Sequence, residues 1–259
     1  MRRMSDPVRD RWAAGEVALN AWSMFGGASA ASILAAAGFD AVTVDLQHGK
    51  HTLERLGEVV GEIERAGAVP FVRLGWNEPA GVMRALDLGA GGVICPMVDT
   101  AEDAAAFVRL CRYPPLGARS YGPVRSAFGT GREQTDAANA AILAFAQIET
   151  AAGWANVEGI CATPGLDGVY VGPADLSLAL GFEGFADLGS RDLLEALDRV
   201  MVAASEHSVV PGIHAPSIER AVEMARRGFR FVGAAGDTEL LRGGAAESIE
   251  RTRAGARTP

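Results

Sequence analysis

The chain has 259 residues, 49% of them hydrophobic and 22% charged, with a net charge of −8 and a pI near 5.1; that acidity argues against nucleic acid or an anionic membrane as the main partner. The length suits one large α/β domain able to bury its own core, and no stretch of about 18 apolar residues offers a membrane span. The three cysteines, Cys95, Cys111 and Cys161, lack C-x-x-C spacing and give neither a disulfide framework nor a zinc cluster; with a charged, core-less N-terminus, a soluble cytoplasmic protein is expected.

In chain order, runs of strand formers predict strands at 17–22, 41–45, 69–73, 91–95, 142–148, 168–171, 209–213 and 230–233. Helices are predicted between most of them, at 28–37, 53–66, 79–88, 101–111, 151–161, 191–207 and 217–227. Eight β-then-α units match a (β/α)8 TIM barrel of the α/β class better than a doubly wound sheet. The barrel is expected over about 15–245, in a single domain spanning 1–259. Ala37-Gly38, Ala66-Gly67 and Arg227-Gly228 read as helix C-caps, in support of the same count. Residues 112–131 are too rich in Pro and Gly for a barrel element, and the tail from Arg251 is expected to fray.

Barrel chemistry sits at the carboxyl ends of the strands. If the strands at 142–148 and 168–171 are parallel neighbours about 4.8 Å apart, Glu149 and Asp175 emerge at one edge. Gln147 precedes Glu149 by two residues and points the same way. Two carboxylates beside an amide suit a hard divalent cation with oxygen ligands, such as Mg²⁺, Mn²⁺ or Co²⁺; equally, Glu149 could cap the next helix and Asp175 open a turn. His48 stands in a Gly-flanked loop just past a strand, a place for an acid/base imidazole or for an ordinary loop residue. Arg73 could grip a substrate carboxylate or close an ion pair inside the rim.

The runs Val44-Asp45-Leu46-Gln47-His48-Gly49, Pro70-Phe71-Val72-Arg73, Trp76-Asn77, Leu86-Asp87-Leu88-Gly89-Ala90, Pro96-Met97-Val98, Arg112-Tyr113-Pro114-Pro115-Leu116-Gly117, Gln147-Ile148-Glu149-Thr150 and Val171-Gly172-Pro173-Ala174-Asp175-Leu176-Ser177 occur in that order. Together, over roughly residues 15–245, they make a chain that resembles the HpcH/HpaI aldolase family. The resemblance implies a metal-dependent, class II pyruvate aldolase acting on a small-molecule 2-oxo acid and an aldehyde. It implies Glu149 and Asp175 as metal ligands, Arg73 and Gln147 at the bound 2-oxo acid, and the Ala174 and Asp175 backbone N–H groups at its carboxylate. It implies His48 as acid/base, paired with Asp87. Where the family usually has Asp-x-Glu-His this chain has Gln47, one negative charge fewer beside His48. The family's barrels associate as trimers or hexamers, so a homo-oligomer is expected, with the 112–131 loop, its Tyr121, Phe128 and three arginines near the interface.

Three other readings compete. A Schiff-base aldolase needs a lysine inside the barrel, and the single lysine, Lys50, lies in the loop after the second strand. A lyase of acyl-CoA thioesters needs a basic groove, for which only Arg119, Arg125 and Arg132 stand out. A third reading is a barrel that binds a 2-oxo acid and metal without turnover, acting as a sensor or scaffold; intact Glu149, Asp175, Arg73 and His48 weigh against it.

Overall fold

The alternation of strand and helix closes into a ring. The computed structural model describes residues 6–122, 131–184 and 186–256. A first helix, α1 (Pro7–Ala13), is opened by Asp6, whose side chain accepts from Arg9 N, and by Pro7 at its first turn. Then follow β1 (Ala18–Ser23), α2 (Ala28–Ala36), β2 (Ala41–Asp45), α3 (Leu53–Arg65), β3 (Val69–Arg73), α4 (Pro79–Asp87), β4 (Gly92–Cys95), α5 (Ala101–Cys111) and α6 (Gly131–Ala141). The second half runs β5 (Leu143–Ile148), α7 (Ala151–Ala155), α8 (Val157–Cys161), β6 (Gly168–Val171), α9 (Pro173–Ala179), α10 (Arg191–Glu206), β7 (Val210–His214), α11 (Ile218–Arg227), β8 (Phe231–Gly236) and α12 (Asp237–Gly255).

The eight strands are parallel neighbours in sequence order, and β8 pairs back onto β1 to close the barrel. The predicted (β/α)8 architecture is thus observed, with strand ends that differ from expectation by at most a few residues. Gly38, Gly67 and Gly228 follow their helices at φ of 104°, 99° and 109°, the left-handed backbone that stops a helix without a Cβ clash.

Four helices were not predicted: α1, α6, α9 and α12. The expected helix at 151–161 is two, α7 and α8, broken at Asn156. Beyond Arg251, where fraying was expected, α12 continues to Gly255. In the 112–131 loop, residues 123–130, with Arg125 and Phe128, lie outside the described residues.

Two apolar layers hold the barrel. Inside it, Phe71, Phe145, Tyr170 and Phe231 meet ring to ring, Phe71 and Phe231 at 4.8 Å between centroids. The α1 helix supplies Val8 and Trp12 to this cluster, and Trp12 Nε1 donates to Arg230 O at 2.8 Å. Outside the barrel, strand residues such as Val42, Val44 and Val72 pack against Leu56, Val59 and Ile63 of α3 and their counterparts on other helices. The interior aromatics fill the space beneath the carboxyl ends of the strands, so ligands can be met only at the rim above them.

Candidate active site

Glu149 is the residue that follows β5, and its surroundings fix both carboxylate oxygens. Gln147 Nε2 donates to Oε2, and the Met97 backbone N–H donates to Oε1 at 2.9 Å. Met97 reaches that position with φ of 55°, rare for a residue with a side chain. Glu149 and Gln147 are both 2% exposed. The cap of α7 is Thr150, whose hydroxyl accepts from Gly153 N at 2.8 Å, so Glu149 is free of the capping duty left open by its sequence position.

Asp175 arrives from the other side of the same edge. β5 and β6 pair with Gln147 opposite Tyr170 and Ile148 opposite Val171. After β6 the chain turns at Gly172 into α9, in which Asp175 is the third residue. A Cβ on Gly172 would stand 2.8 Å from Glu149 Oε2 and 2.9 Å from Gln147 Nε2, so only glycine lets the turn pass this close. Burial raises the Glu149 pKa; the Met97 N–H opposes this, the negative charge of Asp175 adds to it, and the charge of Arg73 and the Gln147 hydrogen bond lower it. The N–H groups of Ala174 and Asp175 lie in the first turn, ahead of Leu176 N, which bonds Gly172 O, and have no acceptor within the helix.

Arg73, the last residue of β3, is paired in register with Asp45, the last of β2. Its Nε donates to Asp45 Oδ1 at 2.9 Å and its Nη2 to Oδ2 at 2.6 Å. The guanidinium also lies over the Trp22 ring, 4.6 Å from its centroid, and Trp22 Nε1 donates to the Tyr170 hydroxyl at 3.1 Å. The two bonds to Asp45 use two of the five guanidinium N–H groups and leave three. The ion pair left open by the sequence is therefore formed, without exhausting what Arg73 can offer a substrate.

His48 is exposed, and its backbone N–H is held by Asp45 Oδ1 at 3.3 Å. Asp87, at the end of α4, accepts from Arg119 Nη2 at 2.8 Å, and Arg119 stacks on Tyr113 at 4.5 Å. The chain thus places Asp87 against Arg119 and brings it into no described hydrogen bond with His48. Lys50 is exposed beside His48.

Sequence reasoning missed the roles of Asp45, Trp22 and Tyr170 around Arg73. Asp45 had a signal, a carboxylate ending a strand at the same edge; the aromatic pair had none, because its members come from β1 and β6.

Glu149 and Asp175 are the residues at this edge that would hold a divalent cation. The side-chain oxygen of Gln147, Oε1, is buried with no hydrogen-bond partner. Among the described residues no group of three or more His, Cys, Asp and Glu side chains is placed to hold a metal. A cation here would rest on two carboxylates and neutral oxygens, as suits Mg²⁺ or Mn²⁺, which keep water or substrate oxygens in their shells.

Comparison with known proteins gives concordant results. A sequence profile described as HpcH/HpaI aldolase/citrate lyase matches residues 21–243. A hydroxypyruvate/pyruvate aldolase of Rhizorhabdus wittichii is 35% identical over 95% of this chain and 98% of its own length. A 4-hydroxy-2-oxovalerate aldolase of Rhodococcus jostii is 36% identical over 88% of this chain and 89% of its own. Among solved structures, an HpcH/HpaI aldolase/citrate lyase family protein from Burkholderia cenocepacia superposes with a TM-score of 0.88 at 32% identity, over 96% of this chain and 100% of that one.

Proposed function

Because the chain belongs to the HpcH/HpaI aldolase/citrate lyase family, we propose that it is a class II pyruvate aldolase, which adds pyruvate or a substituted pyruvate to an aldehyde and cleaves 4-hydroxy-2-oxo acids in reverse. The observation that carries this reading is the convergence of Glu149, Gln147 and Asp175 at one edge with the charge of Arg73 acting on Glu149. The relatives' names, aldolases of pyruvate, hydroxypyruvate and 4-hydroxy-2-oxovalerate, support the substrate class.

Glu149 and Asp175 would hold the divalent cation (Mg²⁺, Mn²⁺ or Co²⁺), which would supply a Lewis acid for the charge that develops on the keto oxygen as a methyl proton leaves. Arg73, fixed flat by Asp45 and Trp22, directs its remaining N–H groups at the oxygens of the 2-oxo acid. The Ala174 and Asp175 N–H groups receive its carboxylate, and Gln147 lies beside it. His48, exposed on a pinned backbone, moves the proton between methyl carbon, solvent and the new alkoxide. Asp87 stays a partner to be tested, since Arg119 holds it.

Two observations weigh against the competing enzyme readings. Lys50 is exposed rather than inside the barrel. Arg119 is only 4% exposed and committed to Asp87, so it offers no surface for a CoA chain.

The same proposal includes one catalytic domain, a cytoplasmic setting and a homo-oligomer, trimer or hexamer. Among the described residues no helix is long and apolar enough to cross a membrane. Support for assembly lies in α12, where Leu240, Leu241 and Ile249 are 50%, 63% and 52% exposed, and in Leu19, on the outer face of β1, at 39%. The test of the activity is release of pyruvate from a panel of 4-hydroxy-2-oxo acids, lost in chelator and restored by metal.

A further inference from the structure

A buried polar cluster closes the seam between β1 and β8 on the same rim as the site. Ser23, the last residue of β1, has its hydroxyl 3.0 Å from His51 Nε2 and 3.3 Å from Asp237 Oδ2. Asp237, the first residue of α12, also accepts from the N–H groups of Met24 at 2.8 Å and Phe25 at 3.2 Å. Ser23, Asp237 and His51 are 0%, 6% and 8% exposed.

The residue types suggest a hydrolytic triad, but the wiring rules one out. In a triad the carboxylate orients the histidine, which activates the serine. Here the carboxylate binds the serine and two backbone amides, and the serine has no access to solvent.

Hydrogen counting assigns the direction of the chain. Ser23 has one hydroxyl hydrogen, and the Asp237 carboxylate is the stronger acceptor, so Ser23 donates there and accepts from His51 Nε2–H. Burial holds the His51 ring below the usual imidazole range, with the charges of Asp237 and Asp45 and a hydrogen bond to the Ser23 backbone opposing.

His51 ends the loop that carries His48. At the loop's start, Asp45 Oδ1 accepts from Gln47 N at 3.0 Å and His48 N at 3.3 Å. At its end, Lys50 N donates to Met24 O at 2.7 Å, and His51 meets Ser23. Between the two anchors the loop folds so tightly that a Cβ on Gly49 would stand 2.4 Å from Asp45 O. His48 is thus exposed at its side chain and fixed in its backbone from both sides.

We propose that His51, Ser23 and Asp237 form a positioning relay that locks the 46–51 loop and so sets the place of His48 at the site. The catalytic consequence rests on the proposed acid/base role of His48; the locking of the loop does not. Loss of the His51 N–H frees one end of the loop, and misplacing a proton-transfer group by about 1 Å can cost on the order of a hundredfold in rate.

The test compares wild type with Ser23→Ala, His51→Ala and His51→Gln, the last keeping an amide N–H near the position of Nε2. Hydrogen–deuterium exchange of the peptide spanning 45–51 is expected to accelerate by about tenfold or more in both alanine variants and to return toward wild type in His51→Gln. For pyruvate release from a 4-hydroxy-2-oxo acid, kcat is expected to fall about tenfold or more in the alanine variants with KM within about twofold, and to recover in His51→Gln. Unchanged loop exchange in Ser23→Ala and His51→Ala overturns the relay, as does a loss of kcat with the loop still protected. A wild type without aldolase activity whose loop still loosens in the alanine variants leaves the lock standing and refutes the aldolase reading instead.

Discussion

Arg73 and Asp45 end adjacent strands at paired positions and meet through two hydrogen bonds, of 2.9 and 2.6 Å, in a pair whose side chains are 11% and 0% exposed. Removing one member of such a pair leaves the other charge buried alone, which costs about 3–5 kcal/mol. Asp45→Ala is therefore expected to lower the melting temperature. Arg73→Lys is expected to weaken both 2-oxo acid binding and turnover, because an ammonium cannot hold Asp45 and substrate oxygens in one plane. Calorimetric titration with pyruvate and steady-state kinetics check this; pyruvate affinity equal to wild type in Arg73→Lys would remove Arg73 from the substrate's binding set.

The raised pKa of Glu149 gives a pH prediction with a definite sign. A carboxyl whose folded pKa lies above its unfolded value stabilises the fold below the unfolded pKa, and this is lost as pH rises through the folded one. In metal-free protein, Glu149→Gln is thus expected to raise the melting temperature at pH 7. Cation binding needs the carboxylate, so metal affinity is expected to fall as pH drops through a range above that of an ordinary glutamate. A metal titration whose affinity is flat from pH 7 down to the ordinary carboxylate range contradicts this.

Glu149→Ala and Asp175→Ala should each abolish metal binding and aldol cleavage while the barrel still folds, since each removes one of two carboxylates. Lys50→Ala should be nearly harmless, and borohydride in the presence of pyruvate should leave no adduct on the protein. A trapped adduct at Lys50 by mass spectrometry would return the Schiff-base mechanism to contention.

His48→Ala should reduce turnover by roughly 10²- to 10⁴-fold with little change in pyruvate binding. Within the single chain Asp87 accepts from Arg119; a further, independent loss of turnover on adding Asp87→Asn to His48→Ala would show the two acting separately. A double variant no worse than His48→Ala alone would show the two acting as one unit.

Much of this was legible in the sequence because strands and the carboxylates at their ends leave local marks. The run from Gly168 to Val171 and the run into Ile148 show both strands and the edge at which Glu149 and Asp175 appear. What stayed hidden depends on distant partners. Trp12 makes α1 part of the core only by reaching Phe145 and Phe231. The α12 helix carries Gly243 and Gly244, which mask its periodicity. Ser23, His51 and Asp237 lie far apart along the chain, and only barrel closure from β8 to β1 joins them. Asp87 was assigned to His48 by resemblance, and the Arg119 contact could not be read from spacing.

Assembly is tested on α12. Leu241→Arg and Ile249→Arg are expected to shift the protein toward smaller species by light scattering, because each places a charge on an apolar surface that is exposed in the single chain. A wild-type monomer with full activity would contradict the oligomer.

The most direct measurement follows the methyl protons of pyruvate by NMR in deuterated buffer with Mg²⁺ and no aldehyde, which isolates proton abstraction from carbon–carbon bond formation. Rapid replacement of the methyl protons by deuterium is expected with wild type, none above background in excess chelator, and none with Glu149→Ala or Asp175→Ala. Exchange that continues undiminished in chelator or in both variants would contradict a metal-dependent pyruvate aldolase centred on Glu149 and Asp175.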